Sequence, residues 1–238
     1  GTSAHAIAST SYQKRTPFGR VLLEALFRQC GVARKVITRM PFDATREGWT
    51  RYDGIDEELS RALAKEERRL RVGRVLTDAL VFEREFGGSG IVMDIDDGLE
   101  PWEPLARERV RQVRKLTARH KYELWPHTFR NGNQADPETY QVTPDDGTPT
   151  TIVHASRMLL FPGEASSDQA LIENCGWGDA VMEVVWEEIR NVGISDAGVV
   201  EYLLQLSVPF LKVVGWWKLI AGKGGATSAS TMLTEFRQ

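Results

Sequence analysis

One stretch near the middle of the 238-residue chain constrains its fold more than any other: residues 151–163, TIVHASRMLLFPG. It opens with β-branched residues, continues into an apolar run and is stopped by a Pro-Gly pair. A β-rich segment that ends in Pro-Gly predicts a strand followed by a turn. Because His154, Ser156 and Arg157 stand in the middle of this predicted strand, their role decides which function the sequence supports.

Two further segments predict strands that belong to the same module. An Asp-Gly turn at residues 146–147 separates residues 140–142 from residues 152–161, and this order predicts that the two segments pair as a hairpin. Residues 91–95 alternate apolar and polar side chains over the length of a strand. The Asp96-Asp97-Gly98 sequence after them predicts a hairpin turn, and a cation site at the two aspartates is the weaker alternative.

Helical periodicity dominates the N-terminal third of the chain. Residues 20–29 predict a short amphipathic helix with Gly31 as its C-terminal cap, and residues 32–40 continue in the same style until Pro41. Residues 54–86 then show an uninterrupted helical pattern with alternating charge signs. This pattern predicts one long helix that is solvated on one side and packed on the other.

Two helical segments follow the β-rich region. Residues 177–191 place apolar side chains on one face and predict a helix that ends at Gly193, with Ser195 as the cap of the next helix. Residues 199–220 are densely apolar, but Glu201, two lysines and a proline interrupt them, so they predict a buried helix and not a membrane span. Together these elements predict an α+β fold.

Composition narrows the function classes. The chain is 42% hydrophobic and 26% charged, which is ordinary for a globular protein. Its net charge of −3 argues against a dedicated nucleic-acid-binding protein, which would carry a strong basic excess. Cys30 and Cys175 are far apart and form no CxxC pair, so neither a disulfide scaffold nor a zinc site is predicted.

The motifs that could support catalysis are incomplete. The GGSG sequence at residues 87–90 lacks the Lys-Ser/Thr ending of a phosphate-binding loop and follows a predicted helix instead of a strand. His154-Ala155-Ser156 has the H-x-S form used by two-histidine phosphoesterases, but such a site needs a second copy, which is missing. A phosphodiesterase built on this motif is therefore the first alternative function.

The favoured interpretation of the same residues is structural. An imidazole in a strand can hydrogen-bond neighbouring backbone, as expected here for His154, and Arg157 can make a forked pair with a carboxylate. No catalytic, cofactor-binding or metal-ligating residue is predicted.

Residues 107–121 hold seven basic side chains against the single acid Glu108. Such a run can neutralise phosphates, so a nucleic-acid-binding module is the second alternative function. Aromatic residues are scarce in the run and acids lie nearby in the sequence. These features favour a solvated or subunit-facing surface.

Four motifs taken in order are more specific than any one of them. The first three are VITRMPFDATREGW at residues 36–49, FGGSGIVMDIDDG at residues 86–98 and IVHASRMLLFPG at residues 152–163. The fourth is the helix predicted after Gly176-Trp177-Gly178 together with its apolar continuation, VPFLKVVGWWKLIAGKGG at residues 208–225. In this order and spacing the chain resembles the portal proteins of tailed bacteriophages, in the branch often found in prophages. The resemblance covers most of the chain.

The resemblance implies a non-enzymatic homo-oligomer, a dodecameric ring at one capsid vertex through which double-stranded DNA passes with transient, non-specific contact. The terminase large subunit, the head-tail adaptor and capsid proteins would be its partners. No cofactor and no membrane are implied. The protein would reside in the virion, and in the host cytoplasm during assembly.

On this template the chain divides into five segments. Stem helices at residues 54–86 and 166–194 would flank an inserted β-rich clip module at residues 87–165. Residues 1–53 would form an N-terminal arm and a mainly helical wing segment, and residues 195–238 a wing and channel-loop segment.

The template also suggests roles for single residues. His154 and Arg157 become structural candidates within the clip, and Lys218 and Lys223 become candidates for the lining of the DNA channel. Family members usually continue through more wing and a crown, which implies that this chain lacks a C-terminal part.

Overall fold

The computed structural model describes residues 18–48, 54, 56–164 and 167–206, with the side chains of residues 202–206 outside the description. The chain divides into two compact units, residues 1–190 and residues 191–238. The described residues form an α+β fold, as the sequence predicts, and both sheets belong to the first unit. Residues 1–17 of the predicted arm, most of the 199–220 segment and the apolar continuation of the fourth motif, residues 208–225, lie outside the described residues.

The first two helices are α1 (Arg20–Gln29) and α2 (Gly31–Thr45). The helix predicted at residues 20–29 is confirmed, but the cap assigned to Gly31 is wrong. Cys30 adopts an extended conformation between the helices, and Gly31 is the first residue of α2. The helix also continues past Pro41, contrary to expectation. Pro41 and Ile37 are both buried, and this packing outweighs the one hydrogen bond that the proline removes.

The long helix predicted at residues 54–86 is divided in two. The structure has α3 (Glu57–Leu70) and α4 (Val72–Phe86), with Arg71 between them in the left-handed conformation (φ 53°). The Arg71 N–H bonds to carbonyls of the last turn of α3, and its own carbonyl accepts from Val75 at the start of α4. Periodicity alone did not reveal this break, because the apolar spacing continues across it.

The strands form two antiparallel three-stranded sheets. β1 (Ser89–Asp96) is the centre of the first sheet, between β2 (Gln112–His120) and β6 (Met158–Phe161). β4 (Pro137–Val142) is the centre of the second sheet, between β3 (Leu124–Phe129) and β5 (Thr151–His154). The strands predicted at residues 91–95 and 140–142 are therefore confirmed.

The single strand predicted at residues 151–161 is wrong in one respect, because the structure divides it between the two sheets. A 3-10 turn, Ala155–Arg157, separates β5 from β6. The predicted hairpin holds for β5, whose Val153 pairs with Tyr140 of β4. β6 leaves that sheet and pairs with β1, with Leu160 opposite Gly90. This stretch is therefore the covalent link between the two sheets.

Two helices follow the sheets. α5 (Asp168–Glu173), which the sequence analysis missed, begins at Ser167, whose hydroxyl accepts from Ala170 N–H. α6 (Val181–Leu206) starts later than predicted and runs through Gly193 into the second unit. A lone glycine costs about 1 kcal/mol in a helix interior, too little to end a helix of this length. Ser195 bonds back to the Asn191 carbonyl within α6 and does not cap a new helix. No helix among the described residues is long and apolar enough to cross a membrane.

Two apolar cores hold the first unit together. The helical core joins α1, α2, α4 and the start of α6, and its buried residues are Leu23, Ala33, Ile37, Phe86, Ala180 and Met182. The sheet core lies around the second sheet, and its buried residues are Leu124, Tyr140, Val142, Val153, Met158 and Trp177.

Glycines allow three backbone segments to meet between these cores. A Cβ on Gly163 (φ +94°) would lie 2.5 Å from the Gly87 carbonyl oxygen, and one on Gly178 would lie 2.3 Å from the Glu164 carbonyl oxygen. Glycine in the GGSG sequence therefore allows backbone segments to pass close to one another. This role is structural and differs from the binding of a phosphate.

Candidate functional site: the junction of the two sheets

The turn between β5 and β6 carries the polar residues that the sequence singled out. Arg157 is 2% exposed, and its two terminal nitrogens donate to the two carboxylate oxygens of Asp97 at 3.1 and 2.7 Å. Its Nε donates to the Glu103 carbonyl at 2.8 Å. The pair thus joins the β5–β6 turn to the long connection between β1 and β2. Arg157 and Asp97 thus form the forked arginine–carboxylate pair that the sequence predicts for Arg157.

Asp97 is the buried anchor of that connection. Besides Arg157, it accepts hydrogen bonds from the backbone N–H groups of Leu99 and Ala106, both at 3.2 Å. The Arg157 guanidinium, followed by these N–H groups, lowers the pKa of the Asp97 carboxyl. A carboxylate that accepts four such bonds has no oxygen left facing a cation.

The hairpin turn expected at Asp96-Asp97-Gly98 is therefore wrong. β1 and β2 do pair antiparallel, but residues 97–111 connect them as a long segment. The local sequence favoured a tight turn, whereas the buried Arg157 requires a carboxylate partner and draws Asp97 inward. Asp96 remains near the surface and pairs with Arg114 at 3.0 Å.

His154 lies at the end of β5 and is buried. Its Nδ1 accepts the Ser156 N–H at 3.1 Å and lies 2.9 Å from the Ser156 hydroxyl. A neutral ring that accepts at Nδ1 carries its proton on Nε2, which faces a Glu138 oxygen at 4.0 Å. Burial lowers the pKa of His154, which favours this neutral form.

The Ser156 hydroxyl is occupied within the same turn. It also accepts the Leu105 N–H at 2.8 Å, so it links the turn to the β1–β2 connection. His154 and Ser156 lie two residues apart, and their contact is a local turn hydrogen bond. His120 is in a different setting, packed against the Phe86 ring at 4.7 Å and the Phe82 ring at 5.6 Å. The structure thus gives these two histidines separate surroundings.

A second polar cluster, which the sequence analysis missed, ties α1 to the sheets. His120, Glu123 and Asp145 place ligand-type atoms within 4.8 Å of one another. Arg20 of α1 donates to both oxygens of Asp145, and Arg119 donates to Glu123 at 3.0 Å. The guanidinium of Arg20 is the main cause of the lowered pKa of Asp145.

These contacts decide what the cluster can do. The donor set would suit a divalent cation, but each carboxylate already accepts from an arginine, and a cation would have to displace both guanidinium groups. Burial lowers the pKa of His120 and favours its neutral ring. The cluster therefore closes the α1–sheet contact with matched charges. In the sequence, only the close spacing of Arg119, His120 and Glu123 could have indicated this cluster. Arg20 and Asp145 lie far away in the chain.

Part of the basic run at residues 107–121 is held in contacts within the chain. Arg114 forms an ion pair with Asp96, and Arg119 forms ion pairs with Glu123 and Asp146. Lys121 is partly buried, with its Nζ 5.5 Å from the Tyr122 ring centroid. The remaining exposed arginines, Arg107, Arg109 and Arg111, precede β2. The structure thus pairs Arg114 and Arg119 with acidic side chains, and it leaves Arg107, Arg109, Arg111 and Lys115 exposed without an ion pair among the described residues.

Lys218 and Lys223, the candidates for a DNA channel, lie outside the described residues, so their placement stays a prediction. The described polar clusters around Asp97 and Asp145 each connect separate segments of the chain.

Comparison with known proteins identifies the family. The family described as phage portal protein matches residues 22–236, so the chain belongs to the phage portal protein family. This confirms the resemblance that the four sequence motifs carry.

The chain is also similar to longer curated proteins. It is 27% identical to the anti-CBASS protein Acb1 of Caulobacter sp. (strain RHG1), over 98% of this chain and 38% of that protein. It is 27% identical to the anti-CBASS protein Acb1 of Sphingomonas paeninsulae, over 91% of this chain and 35% of that protein. It is 24% identical to an uncharacterized protein of Haemophilus influenzae, over 90% of this chain and 51% of that protein. The chain thus spans between about a third and a half of the length of these relatives.

Proposed function

We propose that this chain is part of a portal subunit that assembles into a ring at one capsid vertex. Double-stranded DNA passes through the ring during packaging and ejection, and the terminase large subunit and head-tail adaptor dock on it. The observation that carries the proposal is the match to the portal family over residues 22–236. On this proposal the protein resides in the virion, and in the host cytoplasm while particles assemble.

The exposed surface of the helices supports an assembly. Within the described part of the chain, large apolar side chains remain exposed on five helices, among them Val21 of α1 (82%), Phe42 of α2 (55%), Leu59 of α3 (51%) and Val184 of α6 (63%). Scattered apolar side chains are normal on a monomer, but a set spread along successive helices suits burial against neighbouring subunits. Subunits that contact each other through different surfaces close into rings when the rotation between them allows it.

The charge of the chain supports a conduit. A protein that binds DNA tightly neutralises many phosphates with lysine and arginine, and this chain carries a net charge of −3. A conduit has to let the duplex move, so weak and non-specific contact is the property it needs. The proposal accordingly assigns no catalytic step to the chain, and it gives His154 and Arg157 the role of holding the clip together.

Electron microscopy tests the proposal. This chain and a polypeptide that extends it to the length of the relatives are purified separately and imaged. We expect the longer polypeptide to form closed rings with a central opening wide enough for a DNA duplex. Monomers or open filaments under every condition, together with absence of the protein from phage particles, would contradict the proposal.

The His154-Ala155-Ser156 motif suggests one second candidate, a phosphodiesterase, and its two polar side chains lie 2.9 Å apart. Hydrolysis of cyclic and linear dinucleotides is measured with the wild-type chain, His154→Ala and Ser156→Ala. If the portal proposal is right, all three proteins show the same background rate. An activity that both substitutions remove would instead establish an enzyme.

An anti-CBASS assay of this chain alone decides whether it shares the role named for two relatives. The chain covers about a third of the length of each.

A further inference from the structure

A basic pocket lies where α3, α4 and β2 meet. Its volume is about 390 Å³, within the range of ligand-binding clefts. The break at Arg71 turns the chain so that the end of α3 and the start of α4 line the same cavity. We use the term basic pocket for the residues that line it: Arg69, Leu70, Arg71, Arg74, Val75, Asp78, Arg114, Lys115 and Leu116.

The basic pocket holds more positive charge than the chain neutralises. Three of its five cations have acidic partners, since Arg69 pairs with Glu66, Arg74 with Asp78, and Arg114 with Asp96. Arg71 and Lys115 have no ion pair among the described residues. The pocket therefore favours an anionic group.

The same pocket offers apolar contact. Leu70, Val75 and Leu116 lie among the cations. A bare phosphate would use the charges and leave these side chains without a partner. A peptide segment that carries carboxylates next to an apolar side chain would use both features.

The first turn of α3 is such a segment. We name it the acidic end: Glu57, Glu58 and Leu59. Both glutamates are exposed, and Glu58 has no ion pair among the described residues, while Leu59 is 51% exposed. No residue of α3 is buried, so the helix leaves its apolar face only partly covered.

The acidic end cannot reach the basic pocket of its own chain. The two lie at opposite ends of α3, a helix of 14 residues and hence about 20 Å long. A rigid helix cannot fold back on itself, so another molecule must supply the partner. A second copy of the chain always supplies one.

We infer that the acidic end of one subunit docks in the basic pocket of the next. This contact is heterologous, because the two surfaces differ, and repetition of it produces a ring or an open helix. The inference rests on the ring proposed above and names the surfaces that join its subunits. It also gives partners to Glu58, Arg71 and Lys115, which have no ion pair among the described residues, whereas Glu57 pairs with Arg61 within its own helix.

Charge reversal tests the contact on the full 238-residue chain. The acidic-end variant is Glu57→Lys/Glu58→Lys, and the pocket variant is Arg71→Glu/Arg74→Glu. Association is measured by sedimentation velocity and light scattering at low and high salt. We expect the wild-type chain to self-associate in a salt-sensitive manner, and each variant to associate roughly a hundred-fold more weakly, because like charges then face each other.

Mixing the two variants gives the decisive result. The reversed end of the first variant complements the reversed pocket of the second, so an equimolar mixture should recover association close to the wild-type level. Variants that merely misfold cannot recover on mixing. Circular dichroism of each variant alone checks the fold.

Arg107→Glu/Arg109→Glu is the matched control, since it makes the same change in charge at two exposed arginines outside the pocket. This control should associate as the wild type does. Self-association that survives both reversals would overturn the inference while leaving the ring proposal intact. A chain that stays monomeric, with no recovery in the mixture, would also overturn it.

The same variants distinguish a different occupant. Binding of a fluorescent DNA duplex and of inorganic phosphate is measured for the wild type and the pocket variant. Tight binding that only the pocket reversal removes, without any effect of the acidic-end reversal on association, would assign the pocket to phosphate and overturn the subunit contact. The ring proposal is judged separately, by microscopy of the longer polypeptide.

Discussion

Removal of the Arg157 side chain should be the most costly single polar change in the sheet module. Arg157→Met keeps most of the side-chain length and deletes the guanidinium. The change leaves the Asp97 carboxylate buried with two backbone N–H donors, and it leaves the Glu103 carbonyl without its arginine donor. A buried charge that loses its partner is penalised far more than an exposed one.

The neighbouring aspartate supplies a matched control. Asp96 pairs with Arg114, whose side chain is 58% exposed, whereas the Arg157 side chain is 3% exposed. Breaking a buried pair costs about 3–5 kcal/mol, and an exposed pair contributes about 0–1 kcal/mol. Against a total stability of roughly 5–15 kcal/mol, Arg157→Met should lower the unfolding midpoint strongly and Arg114→Met should hardly move it.

Urea unfolding followed by tryptophan fluorescence measures the difference, because Trp177 is buried in the sheet core. Arg157→Lys is a third variant, which keeps the charge but loses the fork, and it should fall between the other two. Equal costs for Arg157→Met and Arg114→Met would refute the argument. So would a cost for Arg157→Met below about 1 kcal/mol, the level expected of an exposed pair.

Three further changes test other parts of the fold. Burial raises the pKa of Glu85 to about 7 between α1 and α4, so its ionisation in the folded state should cost stability as pH rises from about 4.5 to above 7. Glu85→Gln should remove this loss and stabilise the protein at pH 8, but not at pH 4, by roughly 1–2 kcal/mol in denaturant titrations after allowance for solvent screening. Gly163→Ala should lower the thermal midpoint markedly, because its Cβ would overlap the Gly87 backbone, while Gly98→Ala, with open space around a comparable positive φ, should cost only about 1 kcal/mol. Gly193→Ala should raise helix content and stability by about 0.5–1 kcal/mol, measured by circular dichroism, since it meets no neighbour within 4 Å in the middle of α6; destabilisation would contradict its helical placement.

Local patterns were enough to predict the elements whose partners are nearby in sequence. The helix at residues 20–29, the strand at residues 91–95 and the β4–β5 hairpin follow from periodicity and turn residues alone. The α+β fold follows from their sum. The family resemblance added what no local pattern contains, namely that these elements in this order match a portal protein.

Long-range contacts explain where local patterns were misleading. Residues 151–161 have the composition of one strand, but Arg157 finds its carboxylate 60 residues earlier in the chain, and the turn that aims it there divides the strand between two sheets. Pro41 and Gly193 are helix breakers by local statistics, yet α2 and α6 continue through them. Arg71 shows the reverse case, since nothing in its neighbourhood marks the break between α3 and α4.

One buried ion pair, Arg157 with Asp97, ties the turn between the two sheets to the β1–β2 connection, whereas the pair of Arg20 with Asp145 between α1 and the sheets is partly exposed. Buried ion pairs add little net stability over apolar residues of similar size, because desolvation offsets most of the attraction. Their effect is greater on incorrect arrangements, in which each charge would be buried without its partner. This penalty therefore favours one arrangement of the segments over the others. Replacing Arg157 and Asp97 together by apolar residues should consequently cost less stability than Arg157→Met alone. The same double replacement should increase the variation in subunit shape seen by electron microscopy, and a single uniform shape would show that packing alone sets the angle between the sheets.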